Sequence, residues 1–420
     1  MRRINELENK SLPITKRMVW EAYKQVRKNQ GGSGVDGESL QSYGQNLHDN
    51  LYKLWNRLSS GSYHAPAVRE VLIPKTNGKT RALGIPTVSD RIAQQVVKTY
   101  LEPRLEKIFS VHSYGYRPKK SAHQAIASVR ENVRQRAWVI DMDIKSFFDE
   151  VDHGLLMKAV CVHVEERWVK MYIQRWLTAP KMDAQGTLIH RTGIGTPQGG
   201  VISPLLANLY LHYTLDKWLE KFHGIQYVRY ADDMIVHCRS EKEAEDILQA
   251  IRERLQACGL RLNEEKTQLV YCRSYRFRSS YRKYAKRFDF LGYRFKPRRA
   301  KSKFGGVILG YDCAISPKSK QRILQKWKDL KLPRCTTVDL STLVQRINPI
   351  LRGIYHYYGK FRPWELNAVF RSLHHRLVKW KLNKNRKLKK SLGRGYKWLR
   401  KIRQDFPNLF YHWSLGFSVT

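Results

Sequence analysis

Two adjoining carboxylates, Asp232 and Asp233, stand in the segment Tyr230-Ala231-Asp232-Asp233 between the apolar runs Ile225-Gln226-Tyr227-Val228 and Met234-Ile235-Val236. The runs predict a β-hairpin with the acids at its bend. Aspartate is depleted in strands, and a carboxylate among core-type residues is unfavourable unless a cation or a hydrogen-bond donor compensates it. A metal ion is the simplest compensator. A third acid has a similar setting: from Trp138 to Ile144 the residues alternate, with Trp138, Ile140, Met142 and Ile144 on one face and Val139, Asp141 and Asp143 on the other. One face is core and the other acidic. Hard divalent cations take carboxylate oxygens from rigid backbone, and Asp143 with Asp232 and Asp233 could supply them. Asp141, Asp149 and Asp152, taken singly, read as turn or capping aspartates.

The acids run against the composition of the chain. Lys and Arg number 78 against 36 Asp and Glu, a formal net charge of +42 over 420 residues. Such an excess points to a phosphate-backbone partner, because neutralised phosphates release counterions; a membrane surface is the weaker rival. No run of about eighteen apolar residues occurs, and Met1 to Glu8 lack an apolar signal core, so a soluble intracellular chain is expected. A hydrophobic fraction of 42%, with Trp 11, Tyr 23 and Phe 14, is that of a folded protein, and the length predicts two or three packed units. The six cysteines form no C-x-x-C pair and no zinc-type spacing with histidine, so reduced, mostly buried thiols are expected, with no zinc-stabilised nuclease appendage.

The elements that must carry the acids are legible in outline. Helices are predicted over residues 13–30, ended by Gly31-Gly32-Ser33-Gly34, and over 46–58. A basic hairpin follows, Val68 to Pro74 turned by Thr76-Asn77-Gly78-Lys79 into Thr80 to Ile85. Helices are predicted at 89–109, 121–135, 153–178, 204–221 and 241–258, with a short hairpin near Gly186 and a strand from Phe288 to Phe295. From about residue 300 the chain becomes more basic and more helical. Its last basic run, Lys379 to Lys401, is interleaved with Trp380, Tyr396 and Trp398, a pattern that favours nucleic-acid contact over a plain solvated face.

Carboxylates that hold two divalent ions are what nucleotidyl transfer requires, one ion to activate a primer 3′-hydroxyl and one to hold the triphosphate. An ordered series of motifs extends the point. Ile73-Pro74-Lys75 with Gly78-Lys79-Thr80-Arg81 comes first, then Leu83 to Arg91 (LGIPTVSDR) and Ser113-Tyr114-Gly115-Tyr116-Arg117-Pro118. Asp143-Ile144-Lys145-Ser146-Phe147-Phe148-Asp149, Gly195 to Gly200 (GTPQGG) and Ser203 to Asn208 (SPLLAN) follow. Tyr230 to Asp233, Leu262 to Thr267 (LNEEKT) and Phe290-Leu291-Gly292-Tyr293 complete it. With this series the chain resembles the group II intron reverse transcriptase/maturase family over almost its whole length.

The resemblance implies an α+β right-hand polymerase with fingers and palm, followed by an α-helical thumb, or maturase X, domain. Asp143, Asp232 and Asp233 would be its catalytic and metal-binding triad, holding two Mg2+ ions, with Mn2+ a possible substitute. Lys75 and Arg81 would reach the incoming triphosphate, Arg81 by its fork and Lys75 as a point charge; the alternative is a solvated basic hairpin. Phe148 matches the position whose ring excludes a ribose 2′-hydroxyl, with Phe147 the better candidate for a core residue. Gln198 would pack on the nucleotide, or is a plain turn glutamine. Lys266 would give a proton to pyrophosphate, or is a surface lysine. Phe290, Leu291, Gly292 and Tyr293 would support the primer end.

By the same resemblance Asn348 to Gly359 belongs to the thumb, its aromatic stripe either RNA-gripping or core. The expected domains are residues 1–60, an N-terminal helical extension; 61–298, fingers and palm; 299–375, thumb; and 376–420, a basic segment that could bind nucleic acid. The expected partners are intron RNA, an RNA template, a DNA primer or target, and dNTPs, with no membrane. The expected location is the cytoplasm, on RNA or the nucleoid. The chain ends at Thr420 without a Cys/His-rich endonuclease module, so second-strand cleavage is not expected of it. Two other functions remain open, an RNA-binding maturase without polymerase activity and a related enzyme recruited to defence or repair.

Overall fold

The computed structural model describes residues 12–74, 80–190, 192–279, 281, 283–301, 305–385 and 391–419. Lys75 lies outside them, as does the turn of the basic hairpin. The chain gathers into two compact units, Met1–Ser121 with Ile140–Gln268, and Ala122–Val139 with Leu269–Thr420. None of the described helices is long and apolar enough to cross a membrane. All six cysteines are free thiols, four of them buried.

The first unit opens with the helix Lys16–Asn29, which Thr15 caps through its hydroxyl, an acceptor for Met18 N at 3.3 Å. Its apolar stripe, Val19, Ala22, Tyr23 and Val26, is buried. Arg91, in the helix Val88–Leu105, holds the chain just beyond it by donating to the carbonyls of Gln30 (3.1 Å) and Gly32 (3.0 Å). Strands β1 (Val68–Pro74) and β2 (Thr80–Ile85) pair antiparallel from Arg69↔Ile85 to Pro74↔Thr80. Strand β3 is Trp138–Asp143. The short strands β4 (Lys181–Met182) and β5 (Leu188–Ile189) extend the first sheet to the order β2-β1-β4-β5. Strands β6 (Gln226–Tyr230) and β7 (Asp233–Cys238) form the acid-bearing hairpin, and β7 lies beside β3.

Two predicted helices are divided. The segment 153–178 forms His153–His163 and Arg167–Leu177, because Val164 is extended and Glu166 is held outside the helix by Arg104 (2.7 Å) and the Tyr100 hydroxyl. The segment 204–221 begins as the helix Ser203–Leu211, widens to a π turn at His212–Asp216 and closes with Lys217–Leu219.

In the second unit, β8 (Gln268–Tyr271) is followed by β9 (Phe288–Phe290), β10 (Tyr293–Lys301) and β11 (Val307–Ile315), the last three in the order β11-β10-β9. The single strand expected at 288–295 is therefore a tight hairpin. Its bend, Leu291 and Gly292, takes φ of 48° and 80°, values that end a strand. The helices Pro317–Asp329, Leu340–Tyr358, Asn367–Lys384 and Leu392–Asp405 follow. One core joins them: Trp327, Leu343, Ile347 and Leu351 share it with Phe370, Leu377, Trp380, Leu399, Phe410 and Trp413. The tail expected to begin at residue 376 is thus no separate segment in packing terms, since its apolar residues complete the thumb core.

Ending the chain after His375 should therefore unfold this unit rather than trim it. Losing one large core side chain costs about 3–5 kcal/mol against a typical total of about 5–15 kcal/mol. The expected outcome is loss of the cooperative thermal transition and rapid proteolysis beyond residue 269. A shortened chain that melts like the full one contradicts this packing.

Candidate active site

The acid-bearing turn is built by pairing on both sides. Tyr230 pairs with Asp233, which leaves Ala231 and Asp232 as a two-residue turn, and Asp143 closes the neighbouring strand β3. Ala231 takes φ = 58°, a left-handed conformation that non-glycine residues seldom adopt. A second segment braces it: Tyr114 N donates to Arg229 O (2.8 Å) and Arg229 N to His112 O (2.9 Å). Gly115 then passes so near the turn that a Cβ on it would lie 2.4 Å from Ala231 N. Asn208 fixes Gly115 by donating from Nδ2 to its carbonyl at 2.8 Å.

The acids are coupled. Burial, then the charges of Asp232 and Asp143, push Asp233 up to about 7, although the residue opens to solvent on one side. Burial raises Asp232 as well, and Asp143 adds to the rise. Asp143 Oδ2 accepts from Lys266 Nζ at 2.6 Å and from Asn263 Nδ2 at 2.9 Å. Burial would lower Lys266, but the Asp143 hydrogen bond and the charges of all three acids leave it raised. The three acids expected to converge as a chelate are thus neighbours with an ammonium on one of them. Among the described residues, no three His, Cys, Asp or Glu side chains already close on a metal-sized point. The donors fit hard divalent ions in kind: they are carboxylate oxygens only, and their mutual repulsion is what a cation relieves.

Three of the residues expected on the nucleotide side, Arg81, Phe148 and Gln198, are tied to the loop 195–200 that carries Gln198. Gly195 N donates to Val151 O (2.8 Å) and Thr196 N to Phe148 O (2.7 Å), which lays the loop along the helix Phe147–Glu150. Gly195, at φ = 83°, allows this approach, for a Cβ would meet Asp149 O at 3.1 Å. Phe148 is 8% exposed and edge-on to Phe147, 5.2 Å between ring centres; Phe147 is 3% exposed. Gln198 Oε1 accepts from Arg81 Nε at 2.6 Å, and its carbonyl accepts from Gly84 N at 2.6 Å, so this loop and β2 are fastened together. Arg81 also acts on the acids, its charge pulling Asp232 down against burial.

The four residues expected at the primer belong to the second unit. Phe290 and Tyr293 are buried there, the Tyr293 hydroxyl donating to Tyr357 O, while Tyr357 OH donates to Leu291 O at 2.9 Å. Only the bend Leu291-Gly292 is partly open.

Sequence reasoning did not single out Arg229 and Asp216. Both side chains are fully enclosed, and Arg229 donates from Nε (2.8 Å) and Nη2 (2.5 Å) to the two carboxylate oxygens of Asp216. Its Nη1 reaches Asn208 Oδ1 (3.0 Å) and Ala231 O (3.2 Å), so it holds the turn itself. The π turn at His212–Asp216 delivers Asp216 to this point, an irregularity common at functional sites. In the strand Gln226–Tyr230, which also holds a glutamine, Arg229 alone gives no distinct signal of its burial.

Arg229→Met would leave Asp216 buried without its cation and is expected to cost about 3–5 kcal/mol in urea unfolding. Adding Asp216→Leu should recover most of that loss. Recovery by neither, or no loss at first, argues against the pair as the brace. For Asp233 the sign follows from its elevation to about 7, against about 4 unfolded. Folding takes up a proton between those values, so the metal-free protein loses stability as pH rises from about 4 to 7 and no more above it. Asp233→Asn removes that contribution. Melting in chelator at pH 5 and pH 8 should show a smaller fall for the variant than for the native chain.

Comparison with known proteins gives this site its context. Residues 73–295 match the family model described as reverse transcriptase (RNA-dependent DNA polymerase), and residues 320–400 match the group II intron maturase-specific domain. Protein YkfC of Escherichia coli (strain K12) is 34% identical over 279 residues, 57% of this chain and 72% of that protein. The group II intron-encoded protein LtrA of Lactococcus lactis subsp. cremoris is 33% identical over 205 residues, 48% of this chain but only 33% of its own length. A solved telomerase from Candida albicans, in complex with a telomeric RNA fragment, aligns over 90% of this chain and 68% of its own at TM-score 0.46 and 12% identity. With the polymerase match spanning more than half its residues and the maturase match following in order, the chain belongs to the group II intron reverse transcriptase and maturase family.

Proposed function

We propose that this chain is an RNA-directed DNA polymerase that copies RNA into DNA and assists the splicing and mobility of a group II intron. The observation that carries the reading is the set Asp143, Asp232 and Asp233, at the end of one strand and at the turn and start of its neighbour, with Lys266 on Asp143 Oδ2. A chain that only folded RNA would have no use for three repelling carboxylates held by a strained turn.

Asp143, Asp232 and Asp233 would hold two Mg2+ ions, with Mn2+ able to substitute. When bound, these ions neutralise the triphosphate and ease deprotonation of a primer 3′-hydroxyl. In the reaction the 3′-oxygen forms a bond to the α-phosphorus of a dNTP while the bond to pyrophosphate breaks. Arg81 and Lys75 bind the triphosphate, the first through its planar fork. Gln198, fastened by its backbone to Gly84, orients the nucleotide. The Phe148 ring fills the space that a ribose 2′-hydroxyl would need. Lys266, kept protonated by the acids around it, gives its proton to the leaving pyrophosphate. Leu291 and Gly292, with Phe290 and Tyr293 behind them, carry the primer end.

The partners that follow are intron RNA, an RNA template, a DNA primer or target, and dNTPs, met in the cytoplasm on RNA or the nucleoid. A second reading, RNA binding alone, draws on the maturase-domain match at residues 320–400. Primer extension separates the two. Asp232→Ala should lower dNTP incorporation on an RNA template by about a hundredfold or more with melting behaviour retained, and undiminished synthesis would refute the polymerase reading. Phe148→Ala should raise ribonucleotide use relative to deoxynucleotide; unchanged sugar discrimination removes Phe148 from that role.

A further inference from the structure

The second unit contains a cleft of about 490 Å³ that neither the acids nor the thumb core use. It lies among the helix Ala122–Gln135, strands β10 and β11, and the segments Ser274–Arg276 and Phe361–Trp364. Its size is that of a small-ligand site. Its walls alternate guanidinium groups and rings: Arg362 stands 5.5 Å from the Trp364 ring centre, Arg276 5.7 Å from Tyr275, and Arg130 5.6 Å from Phe361. Trp364 is 57% exposed and Tyr275 44%, large rings left in water beside cations.

The acids in the wall are already committed. Asp312 accepts from Arg130 Nε (2.6 Å), Arg362 Nε (2.8 Å) and Cys313 N (2.9 Å), and Glu131 accepts from Arg134 Nη1 (3.0 Å). Arg130, Arg134, Arg276, Lys301 and Arg362 face these two acids, five cations against two, so the cleft keeps an excess of three positive charges. The Asp312 bonds also fix Arg130 and Arg362 in advance, which reduces the ordering cost of a ligand. A ring face offered to solvent beside spare guanidinium charge fits an unstacked base and its phosphate. A duplex presents no free base face, and an apolar peptide leaves the charge unanswered.

We propose that this cleft binds an unpaired nucleotide of single-stranded RNA, the base on Trp364 or Tyr275 and the phosphate beside Arg276 and Arg134. The inference deepens the RNA-handling function proposed above and rests on it for the choice of RNA. The experiment uses the full chain and an eight-nucleotide RNA bearing 4-thiouridine and a fluorescent end, without divalent ions. Photocrosslinks are expected at Tyr275 or Trp364, located by mass spectrometry. Trp364→Ala with Tyr275→Ala should abolish them and weaken anisotropy-measured affinity about tenfold, Arg276→Glu should weaken it, and Trp364→Phe should retain it. Both rings are exposed, so melting temperatures should not change. Because no synthesis is involved, the Asp232→Ala chain should bind and crosslink as the native chain does, whether or not it polymerises. Crosslinks only elsewhere with unchanged affinity, or equal competition by free AMP, overturn the proposal, the second by assigning the cleft to a free nucleotide.

Discussion

Three like charges have to be held where they repel one another, and the first unit is arranged around that constraint. Asp232 and Asp233 stand at a turn beside Asp143, and burial raises the first two before any mutual repulsion is added. A free hairpin would relax by letting the turn swing outward. Here the carbonyl of Ala231 is held from below by Arg229, whose charge is met by Asp216, and Gly115 closes on the turn from the side. A buried ion pair is weak evidence of stability on its own, since desolvation offsets much of its attraction. Its value here is geometric: one guanidinium bonds Asp216, Asn208 and Ala231 together, so the turn cannot move without leaving a buried donor of Arg229 short of a partner.

The loop that carries Gln198 depends on a comparable device. Asp90 is buried and raised to about 6, because burial outweighs the donors around it, Trp176 Nε1 at 2.8 Å, Tyr63 OH at 3.0 Å and Gln94 Nε2 at 2.9 Å. Gln94 then accepts from Ile202 N at 3.2 Å, which anchors the end of the loop carrying Gln198. At the other end Gly199 meets β2 so closely that a Cβ would lie 2.2 Å from Gly84 O. Residues that look like separate motifs along the chain, around Asp90, Gln198 and Arg81, are therefore one bonded assembly.

What could be read from the sequence follows from where its signals are local. The acids, the basic hairpin and the loop of glycines announce themselves because unfavourable residues stand inside favourable patterns. The Arg229–Asp216 pair does not, because each residue alone reads as an ordinary charge and only the π turn brings them together. The division of the helix at Val164 was hidden in the same way: Glu166 has ordinary helix propensity, and its partners Arg104 and Tyr100 lie more than sixty residues away. The bend at Leu291-Gly292 lay inside an apolar run, where leucine at positive φ is not a propensity signal. The packing role of the final segment was hidden for a related reason. The charges of Lys379 to Lys401 dominate its composition, while Trp380 and Leu399 between them, with Leu377 before and Trp413 after, build the core.

Lys266 shows how the two sides of the site meet. Its ammonium lies 2.6 Å from Asp143 Oδ2, yet the side chain is 63% exposed, so the bond tethers the tip of an otherwise free stem. The three acids hold that cation close, while Arg81 also acts on Asp232, and the pKa of the lysine is raised in consequence. An ammonium has three N–H donors, so one can stay on Asp143 Oδ2 while the others face solvent from the same exposed side chain. Asn263 donates to the same oxygen at 2.9 Å, and its backbone N–H binds Asp143 O, so the carboxylate is oriented by the amide as well as by the lysine. A neutral amide held by its own backbone thus fixes the position of the acid, and an exposed amine supplies the charge beside it.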